Sequence, residues 1–151
     1  PDKAIDDFSH GWQDWYLLEA GNPHHWEFST RKLSDPKWRG GAGDQLTIEV
    51  KSSQPNDLIV VLTENFFRSY RGPSQEYVAV VKLSGGSDPQ TISLGLDDFQ
   101  NSAGGALATW NDIDILTLRA YLERNQTLLG SKSWVGDPPV FRKISWTGLA
   151  R

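Results

Sequence analysis

The chain has 151 residues, and its 15 Lys and Arg against 19 Asp and Glu give a formal net charge of −4, without the basic stripe that duplex nucleic acid requires. Cysteine and methionine are both absent, which excludes disulfides, thiolate nucleophiles and cysteine-ligated zinc, and no apolar run approaches the roughly 18 residues of a membrane helix. A chain of this length buries roughly 68–70% of its unfolded surface as one domain, so residues 1–151 are read as one domain; a start without Met suggests a domain cut from a longer protein.

In chain order, Ile5–Phe8, Asp14–Leu18 and Glu27–Arg31 read as short strands. Asp44–Val50 alternates, with Leu46, Ile48 and Val50 on one face, and Ser53–Asp57 is a turn. Leu58–Thr63 is a nearly continuous apolar run, the pattern of a central strand covered on both faces. Glu76–Leu83 alternates through Tyr77, Ala79, Val81 and Leu83, and Gly85–Pro89 turns the chain into Thr91–Leu96. Asp97–Ala108 is a loop that opens on a short helical turn. Ile113–Leu122 changes phase near Leu116, as a β-bulge would make it do. Asn125–Pro139 is a long polar connection, and Val140–Trp146 closes the chain. Turns every 8–15 residues and the lack of any long 3.6-residue period predict an all-β fold: an antiparallel two-sheet β-sandwich.

Seven tryptophans stand out. A small β-protein buries two or three indoles; flat rings among polar loop residues suit stacking on the apolar C–H faces of sugars. Trp134, in Gly130–Gly136, is the first candidate for a ligand contact, its rival reading being a lid folded over the end of the sandwich. Trp38 precedes Arg39 in Asp35–Gly41, a ring-and-guanidinium pairing that can stack on a sugar and donate to its hydroxyls, or simply anchor its own loop. Trp26 follows Asn22–His25 and is grouped with them. Trp12 and Trp15, three apart, face opposite ways if the chain there is extended, leaving one buried. In Glu64–Pro73, Phe66 and Tyr70 with Arg68 and Arg71 form a shelf for an acidic or sulfated sugar, unless the arginines pair with nearby acids. Adjacent His24 and His25 are poorly arranged to chelate one ion. Asn125–Gln126–Thr127 matches a glycosylation sequon. No carboxylate pair is singled out for glycosidase chemistry, and no G-x-S-x-G elbow occurs.

Three segments resemble galactose-binding-like β-sandwich domains: Ile5-Asp6-Asp7-Phe8 with Gly11-Trp12 and Trp15; Thr91–Leu96, Asp98-Phe99, Trp110 and Asp112–Leu118; and Trp134–Phe141 running to Trp146. The resemblance spans most of the chain, and the order of the motifs carries it. It implies a jelly roll that serves as a non-catalytic carbohydrate-binding module of a polysaccharide-degrading enzyme, outside the cell or in the periplasm of a bacterium. The implied partners are a polysaccharide or oligosaccharide and a catalytic domain of the same polypeptide, with no nucleic acid and no membrane. It also implies a structural calcium near the first strand, at Asp6 and Asp7, although the closing strand here, Phe141–Ser145, brings no further acid. Two alternatives stand beside this reading: an accessory domain that packs on a catalytic partner without binding sugar, and a small polysaccharide lyase or hydrolase.

Overall fold

The structure, a computed structural model, describes residues 2–121 and 133–148. Nine strands run β1 (Lys3–Asp6), β2 (Tyr16–Leu18), β3 (Glu27–Thr30), β4 (Asp44–Lys51), β5 (Asn56–Glu64), β6 (Gln75–Leu83), β7 (Gln90–Leu94), β8 (Ile113–Arg119) and β9 (Val140–Gly148). They pair antiparallel into a four-stranded sheet, β1-β9-β4-β7, and a five-stranded sheet, β2-β3-β8-β5-β6. This is the all-β, antiparallel two-sheet sandwich that the alternation predicts. The sequon and most of the Asn125–Pro139 connection lie outside the described residues.

Alternation decides what each sheet turns inward. Leu46, Ile48 and Val50 of β4 and Ile144 and Trp146 of β9 meet Leu58, Val60 and Leu62 of β5 and Tyr77, Ala79 and Val81 of β6. β5 lies between β8 and β6, and its other face is covered too: Ile59 and Val61 form a second buried cluster with Val78. The continuous apolar run therefore has a physical cause. The phase change in β8 is a bulge, because Thr63 pairs with Ile115 while Glu64 pairs with Ile113. Asp114 is the extra residue, and the bulge lets both Ile113 and Leu116 enter the core. The helical turn before the 99–108 loop is a single 3₁₀ turn, Leu96–Asp98.

Indoles fill much of the core. Trp26, Trp134 and Trp146 are fully buried, and Trp15 and Trp110 nearly so. Each removes roughly 150–250 Å² from water, on the order of 4–6 kcal/mol as an upper bound. Four of the five polar edges find backbone or carboxylate partners: Trp146 Nε1 donates to Trp38 O (2.8 Å), Trp110 Nε1 to Asp44 O (3.1 Å), Trp134 Nε1 to Asp137 O (2.9 Å) and Trp15 Nε1 to Asp6 Oδ2 (2.7 Å), while Trp26 Nε1 has no partner among the described residues. Trp12 and Trp15 do not diverge. Residues 9–14 turn instead of extending, and the two rings meet edge-on at 5.1 Å. Gly40 lies flat on Trp146, where a Cβ would stand 2.6 Å from the ring.

Candidate functional site

The outer face of the five-stranded sheet is ordered by its register. One row across it reads Tyr16, Ser29, Thr117, Val61 and Val78; the next reads Leu18, Glu27, Arg119, Ile59 and Val80. In these rows β3 and β8 bring polar side chains to this face, β5 and β6 bring apolar ones, and β2 brings Tyr16 and Leu18. At the end where β3 and β5 finish lies a groove of about 330 Å³.

Its floor is rigid. Arg119 is 8% exposed and is held from both sides, its Nε donating to Glu27 and its Nη2 lying 3.6 Å from Glu76. Ser29 and Thr117 hydroxyls hydrogen-bond each other across the strands at 3.0 Å. Its wall is aromatic: the Arg31 guanidinium lies over the Tyr16 ring at 4.7 Å and the Phe67 ring at 5.5 Å. Tyr16 and Phe67 are 57% and 43% exposed, so the groove presents ring surface to solvent.

The Phe67 wall stands on the β8 bulge. Asp114, fully buried, accepts the Phe67 backbone N–H at 2.8 Å and pairs with Arg68. One turn away Arg71 meets Asp112 at 3.1 Å, and Asn65, at φ 56°, donates its N–H to Asp112 O. Glu64, just before this loop, has its carboxyl pKa raised, first by burial and then by the neighbouring Asp112 charge. Neither Glu64 nor Asp112 lines the groove.

The residues singled out in the sequence fall into three groups. Trp134 and Trp26 are core, a correction to their assignment as ligand contacts: both are fully buried and meet edge-on at 5.2 Å, leaving no ring face for a sugar. Tyr70 is 84% exposed, but Arg68 and Arg71 are engaged with Asp114 and Asp112, so the shelf does not offer two open cations to an acidic sugar. Trp38 and Arg39 do not jointly offer an open ring and a free guanidinium to a sugar. Lys32 and Lys37 lie over the Trp38 ring at 4.5 and 5.2 Å, while Arg39 Nε and Nη2 donate to Leu33 O and Ser34 O. Burial, then the nearby Arg68 charge, lowers the Arg39 pKa. Sequence reasoning missed Arg31, Phe67, Arg119 and Glu76. The polar alternation Glu27-x-Ser29 and Thr117-x-Arg119 was the available signal.

Asp6 and Asp7 do not fit a calcium ion. Asp6 Oδ1 accepts the Phe8 N–H (2.8 Å), Oδ2 accepts the Trp15 indole N–H, and the Lys32 ammonium stands 3.7 Å away. Lys32 also donates to Ile5 O at 2.8 Å and lies 3.4 Å from Asp14. A cation is therefore already built into this ring of oxygens. Asp7 turns to the Ser9 N–H, the first cause of its lowered pKa. Among the described residues no three His, Cys, Asp or Glu side chains could hold a metal ion.

The fold is shared with known structures. The family 11 carbohydrate-binding module of the cellulosomal cellulase Lic26A-Cel5E of Clostridium thermocellum superposes with a TM-score of 0.59 at 14% identity, covering 98% of this chain and 95% of that one. In fold, this chain is similar to family 11 carbohydrate-binding modules. A second structure, a family 11 module from Clostridium thermocellum in complex with a β-1,3-1,4-mixed-linked tetrasaccharide, gives a TM-score of 0.56 at 13% identity, covering 97% and 95%. No family model and no curated protein matches the sequence.

Proposed function

We propose that the chain binds a neutral polysaccharide in the Tyr16–Phe67 groove and does not cleave it. The observation that carries this reading is the groove itself: exposed rings beside a floor whose charges are already balanced. Arg119 is matched by Glu27 and Glu76, and Arg31 is sandwiched against two rings, so the lining offers hydrogen bonds without an excess of either charge. Hydroxyl-rich, uncharged ligands suit such a lining; a polyanion would meet Glu76 and find Arg119 already paired. The fold supports the reading, since a module of similar fold was solved with a β-1,3-1,4-mixed-linked tetrasaccharide bound. That Glu64, whose carboxyl pKa is raised as a general acid requires, lies off the groove supports binding without hydrolysis.

In this reading the ring of a pyranose stacks on Tyr16 or Phe67, and Arg31, Ser29, Thr117 and Glu76 fix its hydroxyls. Affinity is modest, roughly −4 to −7 kcal/mol, because a shallow groove gains little beyond the cost of immobilising the sugar. The use of such binding is to concentrate a tethered catalytic domain on its polymer outside the cell.

Affinity electrophoresis tests the proposal with mixed-linked β-1,3-1,4-glucan, other neutral glucans, a polyuronate and a sulfated polysaccharide, using wild type, Tyr16→Ala and Phe67→Ala. Retardation by a neutral polymer, lost in both variants with polymer viscosity constant, is the expected result. Retardation only by the polyanions, or none at all, overturns it, and the second outcome favours an accessory domain that packs on a partner.

A further inference from the structure

The groove does not end at Arg31. Tyr16 and Arg31 also line a second depression of about 400 Å³, whose remaining walls are Gln13, Asp14, Trp15 and Lys32. We infer that this depression is a second glycan subsite, continuous with the groove across the Tyr16–Arg31 saddle, so that the site takes the interior of a polymer chain and not only its end. The inference rests on the carbohydrate-binding reading above and extends it.

The saddle is chemically suited to both sides. A guanidinium lying over rings keeps its N–H groups at its edge, where they can donate to hydroxyls in either depression. Among the described residues Arg31 has no carboxylate partner, unlike Arg68, Arg71 and Arg119. The second depression is also balanced in charge, because Lys32 is held by Ile5 O, Asp6 and Asp14. What remains open is the Gln13 amide and the Asp14 carboxylate, which is 57% exposed. An amide that donates and accepts, beside a carboxylate that accepts, is a common complement to vicinal hydroxyls. Trp15, 7% exposed, gives this pocket an apolar floor.

Size argues the same way. Each depression stands near the lower bound of roughly 300 Å³ for small-ligand sites, so each suits a short stretch of sugar and the pair suits a longer one. Gln13, Asp14 and Lys32 go on to line a smaller depression that reaches Trp38, so the path leads from the face of the sheet over the rim.

Isothermal titration with mixed-linked β-1,3-1,4-gluco-oligosaccharides from trisaccharide to hexasaccharide tests this, comparing wild type with Gln13→Ala/Asp14→Ala. Both side chains are exposed, and a cooperative melting transition well above the assay temperature confirms that the variant folds. Expected is an affinity gain on the order of tenfold from tetrasaccharide to hexasaccharide in wild type. In the variant the gain falls below about twofold, with tetrasaccharide affinity unchanged. Absence of a length effect, or a length effect that the variant keeps, overturns the subsite while leaving groove binding intact. If wild type binds none of the oligosaccharides, the neutral-glycan reading fails and the subsite with it.

Discussion

Replacing Asp114 by Asn separates the role of the bulge from that of the rings. The substitution keeps shape and removes charge from a fully buried group that pairs with Arg68, itself 15% exposed. Removing one partner of a buried pair costs about 3–5 kcal/mol. Arg68 reaches some water, and an Asn oxygen can still accept the Phe67 N–H, so the cost here is about 2–4 kcal/mol. For a chain of this size 1 kcal/mol moves the melting temperature by about 2–4 °C, giving a fall of about 5–15 °C. The loop carrying Phe67 loosens with it, so glycan affinity measured well below the transition drops several-fold. Removing both charges in Arg68→Met/Asp114→Asn recovers part of the stability, because the stranded cation is gone. Calorimetry and titration calorimetry on the three proteins check this. A single variant that melts within about 2 °C of wild type, or a double variant no more stable than the single, would refute the argument.

Four other outcomes follow from the packing and the charges. Trp134→Ala empties a fully buried indole site and costs about 3–5 kcal/mol in chemical denaturation, while the affinity of the still-folded protein for glycan stays unchanged. Neither millimolar calcium nor a chelator shifts the wild-type melting temperature by more than about 1 °C. Lys32→Met, which strips the cation from Ile5 O, Asp6 and Asp14, lowers stability by about 1–3 kcal/mol in the same thermal assay. Glu64 has a raised pKa, so its ionised form is disfavoured in the folded protein and the penalty applies above the folded pKa. Glu64→Gln therefore stabilises the fold slightly at neutral pH, by under about 1 kcal/mol given its exposure. The gain fades as pH falls through the folded value toward the ordinary glutamate range, which denaturation at a series of pH values reads directly.

The strands from β4 onward were legible because burial on one face leaves a period of two, and even the β8 bulge showed as a slipped phase at Leu116. Trp134 and Trp26 were not. Trp134 sits among glycines and serines, and local composition reads it as exposed; its burial depends on Trp26, more than a hundred positions away, which no window contains. The aromatic loop at Glu64–Pro73 was identified, and Phe66 does line the groove, but the placing of Phe67 beside it depended on Asp114 seizing the Phe67 N–H. Its arginines took the blander of the two roles open to them. Arg31 and Arg119 escaped notice since a cation on a strand reads as a solvated face until the partner strand shows what stands opposite.

The strand borders of this sandwich bear on how it behaves when crowded. β2 offers only three residues to a would-be extra strand, and β1 is four residues long with its register broken between Ala4 and Asp6. At the far border of the larger sheet, Val78 already exchanges both backbone hydrogen bonds with Gln100. Strangers are thus denied a long straight ladder at those three borders. β7, five residues long, is the remaining border, so copies crowded together have little straight edge along which to zip into one another.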